Sequence, residues 1–192
     1  MTAPDSRRPE SRRPVALLIA GPPAAGKSTL GAALAPRLGA ALLDLDVVTG
    51  PLVRVISRLT GARDLQDPVL AGLTRAARYD TLLDLANANL DAGLPVVLVA
   101  PFSAERAGRV AWAATESRLA GDCLLVWLSL PPGELIRRLA DRALDRDEEK
   151  LRDPAAYLAG LNLTPPAGPH LALDASEPTD RLVKTVLDRL PP

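Results

Sequence analysis

Short, continuous apolar runs alternate along this chain with longer segments in which apolar residues recur at helical spacing. Because a strand that is covered on both faces of a parallel sheet is apolar throughout, these runs predict buried strands. The strands are predicted at residues 15–20, 42–47, 96–100, 124–130 and 171–173. Helices are predicted at residues 28–38, from about 69 to 92, 103–120, from 132 onward and 179–190.

The alternation of strands and helices predicts one α/β domain over residues 15–192. Such an alternation favours a five-stranded parallel sheet with right-handed crossovers and helices on both faces. The last helix fits this arrangement, since its apolar residues share one face: Leu182, Val183, Val186, Leu187 and Leu190. In an open sheet of this kind, ligands bind at the carboxyl ends of the strands.

Three residues predict where helices begin or end. Gly93 follows the long helical segment and is typical of a residue that ends a helix. Ser103 predicts the cap of the helix that follows the third strand, because its hydroxyl can accept a free backbone N–H. Pro132 predicts the first turn of the next helix, where its missing N–H costs nothing.

The segment between the first strand and the first helix, residues 21–29, has the sequence GPPAAGKST. It fits the phosphate-binding pattern G-x-x-x-x-G-K-[ST], and a strand and a helix flank it as that pattern requires. Glycines let the backbone N–H groups approach phosphate oxygens, and the amino end of the helix favours negative charge. A Gly-rich turn without a ligand is the alternative, which the agreement of strand, loop and helix disfavours.

The motif therefore predicts a nucleoside triphosphate with Mg²⁺. ATP is the expected nucleotide, and GTP remains an alternative because no motif that reads the base is apparent. Lys27 is predicted to reach the β- and γ-phosphates and to act in catalysis, and the Ser28 hydroxyl is predicted to bind the metal. The residues predicted to bind the nucleotide are Gly21, Ala24, Ala25, Gly26, Lys27, Ser28 and Thr29.

Two carboxylates, Asp44 and Asp46, stand at the end of the second predicted strand. Residues two apart on a strand share a face, so both side chains are expected to point toward the phosphate loop. Beside a magnesium–nucleotide site, one carboxylate can orient metal-bound water while the other accepts a proton from an attacking hydroxyl. A polar strand end that only caps a turn is the alternative.

Composition and charge exclude some classes of function and indicate a cellular compartment. Lys plus Arg and Asp plus Glu number 23 each, so the chain lacks the basic excess of a general nucleic-acid binder. The single cysteine excludes an intramolecular disulfide and favours a cytoplasmic location. No apolar run reaches membrane-spanning length, which predicts no membrane partner. Residues 1–14 lack the apolar core of a secretory signal and are predicted to be a disordered leader.

With this loop and the Asp44-x-Asp46 pair, the chain resembles the small-molecule kinases of the P-loop superfamily. These include the shikimate and gluconate kinases, chloramphenicol phosphotransferase and the zeta toxins. The resemblance implies a three-layer P-loop NTPase fold, with Asp46 as the catalytic base that contacts the acceptor and Asp44 as a metal helper. Many kinase-like relatives place an acidic residue in the third strand where this chain has Val99, which leaves the metal more dependent on Ser28 and Asp44.

An arginine cluster follows the fourth predicted strand, where the resemblance implies a mobile lid. The cluster comprises Arg137, Arg138, Arg142 and Arg146, with Lys150 and Arg152 beyond it. Arg138 and Arg142 are four residues apart and share a helical face, which suits joint binding of the triphosphate. Their Arg-Leu-x-x-Arg spacing resembles the lid helix of these kinases, and the resemblance implies that both are catalytic contacts. The alternative is a solvated helix whose arginines pair with neighbouring aspartates.

The resemblance also places the acceptor site between the second and third strands and just after the third. The residues predicted there, besides Asp46, are Arg54, Arg78, Tyr79, Phe102 and Arg106. The sequence thus favours an enzyme, a P-loop kinase that transfers phosphate to a small-molecule hydroxyl, acting as a monomer or homodimer. A nucleotide kinase and a polynucleotide-linked P-loop ATPase remain as alternatives.

Overall fold

The computed structural model describes residues 13–62, 67–142 and 148–190 of the chain. The predicted leader lies outside the described residues except for Arg13 and Pro14. Arg146 of the arginine cluster lies outside them as well.

The described residues form one sheet of five parallel strands: β1 (Val15–Ala20), β2 (Ala41–Asp44), β3 (Val96–Val99), β4 (Asp122–Ser129) and β5 (Leu171–Asp174). Their order across the sheet is β2-β3-β1-β4-β5, and every neighbouring pair is parallel. The central strand β1 is fully buried from Ala16 to Ala20, as its unbroken apolar sequence requires. The chain reverses its strand order on either side of β1, so the loop after β1 lies at the centre of the carboxyl edge.

Eight α-helices and one 3₁₀ turn are described. They are α1 (Lys27–Leu38), α2 (Leu45–Thr60), α3 (Pro68–Asp91), a 3₁₀ turn (Glu105–Ala107), α4 (Arg109–Glu116), α5 (Pro132–Arg142), α6 (Glu148–Arg152), α7 (Pro154–Gly160) and α8 (Thr179–Arg189). Apolar residues of α1, α5 and α8 pack on one face of the sheet. Those of α3 and α4 pack on the other. The predicted fold, a parallel five-stranded sheet with helices on both faces, is confirmed.

The second predicted strand is wrong in its last residues. β2 ends at Asp44, and Leu45 begins α2 because the Asp44 side chain caps that helix by accepting the N–H of Asp46 at 2.9 Å. The sequence analysis did not predict α2. Two helix-disfavouring residues, Gly50 and Pro51, lie in its middle and mask the helical pattern.

The predicted helix start at Ser103 is also wrong. The chain first makes the 3₁₀ turn, and α4 begins only after Gly108, whose backbone is extended. By contrast, α5 begins at Pro132 as predicted. α3 ends at Asp91, and Gly93 follows with a left-handed φ of 82° that favours glycine.

No helix in the described ranges is both long and apolar enough to cross a membrane.

Cys123 lies in β4 and is partly buried. Burial, with Glu116 and Asp122 nearby, raises the pKa of its thiol to about 12. We expect native protein at about pH 8 to react with a disulfide reagent roughly 1,000-fold more slowly than an ordinary thiol. Time-resolved labelling measures this, and unfolding in guanidinium chloride should restore the normal rate. Rapid labelling of the native protein would contradict the burial.

Candidate active site

The loop between β1 and α1 is shaped by two glycines. A Cβ on Gly21 would lie 2.9 Å from the carbonyl oxygen of Leu128 on β4, so only glycine lets the loop approach that strand. Gly26 has a left-handed φ of 86° and stands immediately before α1. Ala24 also has a positive φ, 59°, a conformation that is costly for alanine and that recurs where a loop is built for a ligand. The amino end of α1 therefore opens on the carboxyl edge of the sheet.

Lys27 is turned back into this loop. Its ammonium donates to the carbonyl oxygens of Gly21 at 3.0 Å and Pro22 at 2.8 Å. Burial lowers the pKa of Lys27 to about 8, although the nearby carboxylates Asp46 and Asp44 act in the opposite direction. A lysine whose positive charge is this poorly solvated gains strongly from an anionic ligand. A phosphate group would supply that compensation.

Ser28 and Asp44 meet across the top of the sheet. The Ser28 hydroxyl, in the first turn of α1, donates to the Asp44 carboxylate at 2.6 Å. Hydroxyl and carboxylate oxygens are hard ligands, the type that Mg²⁺ prefers. The pair fits the predicted magnesium site.

Asp46 lies in the first turn of α2, not on a strand, so the predicted shared strand face is wrong. Its carboxylate accepts from Arg78 of α3 at 2.7 Å, and Arg78 also donates to the Thr49 hydroxyl at 2.8 Å. The Asp46 side chain remains 67% exposed. The cap made by Asp44 directs α2 so that both carboxylates still face the same space.

That space is an open cleft of about 1280 Å³ at the carboxyl edge of the sheet. It is large enough for a nucleotide together with a small second substrate. The predicted site residues that line it are Ala24, Gly26, Lys27, Ser28, Thr29, Asp44, Asp46, Arg54, Arg78, Arg138 and Arg142. Gly21 and Ala25 are buried in the loop itself.

A family profile for a P-loop domain, described as an AAA domain, matches residues 17–161. The chain belongs to this AAA domain family. No curated protein matches the chain.

Solved structures of several kinases are similar to this AAA domain. The gluconokinase from Sinorhizobium meliloti 1021 is 20% identical with a TM-score of 0.58, and the match covers 92% of this chain and 91% of that one. A sugar kinase from Janibacter sp. HTCC2649 is 18% identical with a TM-score of 0.63, covering 91% and 93%. The APS kinase CysC of Mycobacterium tuberculosis is 19% identical with a TM-score of 0.60, covering 92% and 97%. At these identities the likeness shows a shared P-loop kinase-like fold.

Three residues predicted in the acceptor site are buried in the AAA domain and do not line the cleft. Tyr79 accepts the backbone N–H of Phe102 at 3.0 Å, and Phe102 is fully buried. Arg106 is 7% exposed, stacks on Trp127 at 4.6 Å, and donates to the carbonyl oxygens of Asn162 and Thr164. These side chains are packed in the interior and are not among the residues that line the cleft.

The arginine cluster divides into side chains with different partners. Arg137 pairs with Glu134 and Asp141 on its own helix, as the solvated-helix alternative predicts. Arg138 donates to Glu134 at 2.9 Å and to the carbonyl oxygen of Ala175, just after β5, at 2.8 Å. Arg142 lines the cleft, and its charge contributes to lowering the pKa of Lys27. Among the described arginines of this cluster, Arg142 is therefore the one whose charge acts on Lys27 in the predicted phosphate site.

The far wall of the cleft includes residues that the sequence analysis did not assign to the site. Asp153, Ala156 and Tyr157, at the start of α7, line the cleft together with Lys150 of α6. Asp153 caps α7 by accepting the N–H of Ala156 at 2.9 Å, and Pro154 follows it. An Asp-Pro pair is a recognisable helix start, so this signal could have predicted the helix but not its place in the cleft.

The two cleft arginines of α5 should respond differently to replacement. We expect Arg142→Ala to lower turnover by about 100-fold or more while nucleotide affinity changes little, as for arginines that stabilise a transferring phosphoryl group. Arg138→Ala should mainly lower the temperature of unfolding, because it removes a tie between α5 and β5. Steady-state kinetics and thermal unfolding of both variants measure this. Parental turnover in Arg142→Ala would contradict the assignment.

Proposed function

We propose that this protein is an ATP- and Mg²⁺-dependent phosphotransferase that phosphorylates a hydroxyl group of a small molecule. One observation carries the proposal: the phosphate loop with Lys27, the Ser28–Asp44 pair and the exposed carboxylate of Asp46 face one cleft. The P-loop kinase-like fold supports it.

The nucleotide half of the cleft is built for a triphosphate. The backbone N–H groups of the loop and the amino end of α1 provide positive potential, and Lys27 adds a poorly solvated cation. Ser28 and Asp44 would hold Mg²⁺, which neutralises charge on the phosphates when it is bound.

The acceptor half supplies a base. Asp46 would accept the proton of the acceptor hydroxyl as its oxygen forms a bond to the γ-phosphorus and the bond from that phosphorus to the β-phosphate oxygen breaks, releasing ADP. Arg78 holds the Asp46 carboxylate at 2.7 Å and so fixes its orientation. A nucleotide kinase would not need this base, because its phosphate acceptor is already ionised.

Two similar structures support a hydroxyl acceptor, since they are named a gluconokinase and a sugar kinase. The APS kinase structure was solved in complex with AMPPNP and APS. Because these names describe other proteins, the hydroxyl acceptor proposed for this chain rests mainly on Asp46.

A thermal-shift screen tests the proposal. Candidate sugars, sugar acids, nucleosides and aminoglycosides are added with Mg²⁺ and a non-hydrolysable ATP analogue. Compounds that stabilise only the nucleotide-bound protein are then assayed for phosphate transfer from ATP. We expect a phosphorylated hydroxyl product. Phosphorylation of a nucleoside monophosphate in preference to every hydroxyl compound would overturn the proposal.

A further inference from the structure

Arg54 stands apart from the other basic residues of the cleft. Lys27 is bonded to loop carbonyl oxygens, Arg78 to Asp46, and Arg138 to Glu134. For the Arg54 side chain, the described part of the chain offers neither an ion pair nor a hydrogen bond. Arg54 is also exposed and lines the cleft. Its charge is available to a ligand.

Arg54 lies on the same side of α2 as the proposed base. Asp46, Gly50 and Arg54 are spaced four residues apart, so they follow one another along one helix face, and all three line the cleft. Gly50 leaves the space between the two charged residues open. A Cβ at Gly50 would lie 3.4 Å from Nη1 of Arg54, which shows that the guanidinium reaches back over Gly50 toward Asp46.

The spacing along α2 fixes the distance between the guanidinium of Arg54 and the carboxylate of Asp46. One helical turn separates Gly50 from Asp46, so the guanidinium and the base are about 6 Å apart along the helix axis. A molecule that spans this gap with one hydroxyl at Asp46 has its other end at Arg54. A backbone of about five or six carbons has that reach.

We propose that Arg54 binds an anionic group of the acceptor, a carboxylate or a phosphate, and so orients the reacting hydroxyl toward Asp46. This proposal rests on the proposed function and deepens it, because it names the substrate class as small polyols that carry a terminal anion. The two carboxylates at the other end of the site, Asp44 and Asp46, repel such an anion, so the acceptor binds in one direction. Guanidinium groups bind carboxylates and phosphates through paired hydrogen bonds.

Matched compounds provide the test. Ribitol and glucitol are neutral, ribonate and gluconate carry a carboxylate at C1, and ribitol 1-phosphate and glucitol 1-phosphate carry a phosphate at that same end. Each is assayed with Mg²⁺–ATP for ADP formation, and in parallel for stabilisation of the protein bound to Mg²⁺ and a non-hydrolysable ATP analogue. The comparison of acids with phosphates identifies which anion is preferred.

The variants are Arg54→Gln, Arg54→Lys and, as a control, Arg58→Gln. Arg58 is an exposed arginine on the same helix that does not line the cleft. We expect Arg54→Gln to raise KM for the anionic acceptor by about 10- to 100-fold, the worth of a hydrogen-bonded charge, with KM for ATP unchanged. Arg54→Lys should recover part of the loss, and Arg58→Gln should match the parent.

Two results would overturn the proposal. The first is that neutral polyols serve as well as their anionic partners in the parental protein, and the second is that the preference for anions survives in Arg54→Gln. Either result excludes Arg54 as the anion site while leaving the kinase function intact. Failure of the kinase function differs, because anionic compounds would then stabilise the parental protein through Arg54 without being phosphorylated. If no compound binds or reacts, both proposals fail.

Discussion

Lys27→Ala should strongly weaken nucleotide binding and phosphoryl transfer together. The ammonium of Lys27 donates to two loop carbonyl oxygens at 3.0 and 2.8 Å. We expect it to bind the β- and γ-phosphates when a nucleotide occupies the loop. We expect affinity for Mg²⁺–ATP to fall by about 100-fold or more and transfer by three orders of magnitude or more, since the charge acts on both the bound state and the transition state.

The same variant should not destabilise the ligand-free protein. Burial lowers the pKa of Lys27 to about 8 in the folded state, against 10.5 for an ordinary lysine. The unfolded chain therefore binds more protons between these values, so the cost of burying this charge is fully present below about pH 8 and is relieved as the pH rises toward 10.5. Removing the charge removes that cost at neutral pH.

Calorimetric titration with a non-hydrolysable ATP analogue and thermal unfolding of the ligand-free protein measure the two effects. Lys184→Ala is the matched control, because Lys184 is an exposed lysine of α8 that pairs with Asp188. Retained nucleotide affinity in Lys27→Ala would show that the loop does not bind phosphate. A large drop in the unfolding temperature would show that Lys27 is structural.

The parts of this fold that are local in sequence could be predicted from it. β1, the phosphate loop and α1 follow one another without interruption, and each is determined by its own residues: an apolar run, glycines at the turn, then helix formers. The start of α5 at Pro132 and the end of α3 before Gly93 could be predicted for the same reason, because each depends on the residue at that position. The site residues on these elements therefore lie where the sequence analysis placed them.

Other parts depend on partners distant in sequence. Whether Arg106 reaches the cleft depends on Trp127 and on the carbonyl oxygens of the 162–164 segment, which accept its hydrogen bonds. Arg138 and Arg142 look equivalent in sequence, but Arg138 bonds to Glu134 and to the carbonyl oxygen of Ala175, a partner distant in sequence. α2 was missed because its stability comes from packing against α3 and from the Asp44 cap, while Gly50 and Pro51 oppose a helix locally.

Asp46→Asn and Asp44→Asn should separate base catalysis from metal binding. Asparagine keeps the size of each side chain and removes its charge. Asp46→Asn breaks the ion pair with Arg78. Because the Asp46 side chain is 67% exposed, solvent weakens this pair, and the free energy of unfolding should change by about 1 kcal/mol or less. Nucleotide binding should be preserved, while transfer to a hydroxyl falls by about two to four orders of magnitude.

Asp44→Asn should behave differently. Asparagine is as good a helix cap as aspartate, so α2 should keep its start. The loss of charge beside Ser28 weakens the site for Mg²⁺, and raising the Mg²⁺ concentration should restore part of the activity. Initial rates of transfer as a function of Mg²⁺ concentration, measured for both variants and the parent, make this distinction.

The outcomes of this comparison bear on different parts of the mechanism. If Asp46→Asn keeps nearly parental transfer while Asp44→Asn loses it even at high Mg²⁺, then Asp44 is the base and the two roles are exchanged. If both variants keep transfer, the acceptor needs no base, and a nucleotide kinase replaces the hydroxyl phosphotransferase. Loss in Asp46→Asn alone, insensitive to Mg²⁺, indicates that a proton leaves the acceptor at Asp46, as a hydroxyl acceptor requires and an ionised phosphate does not.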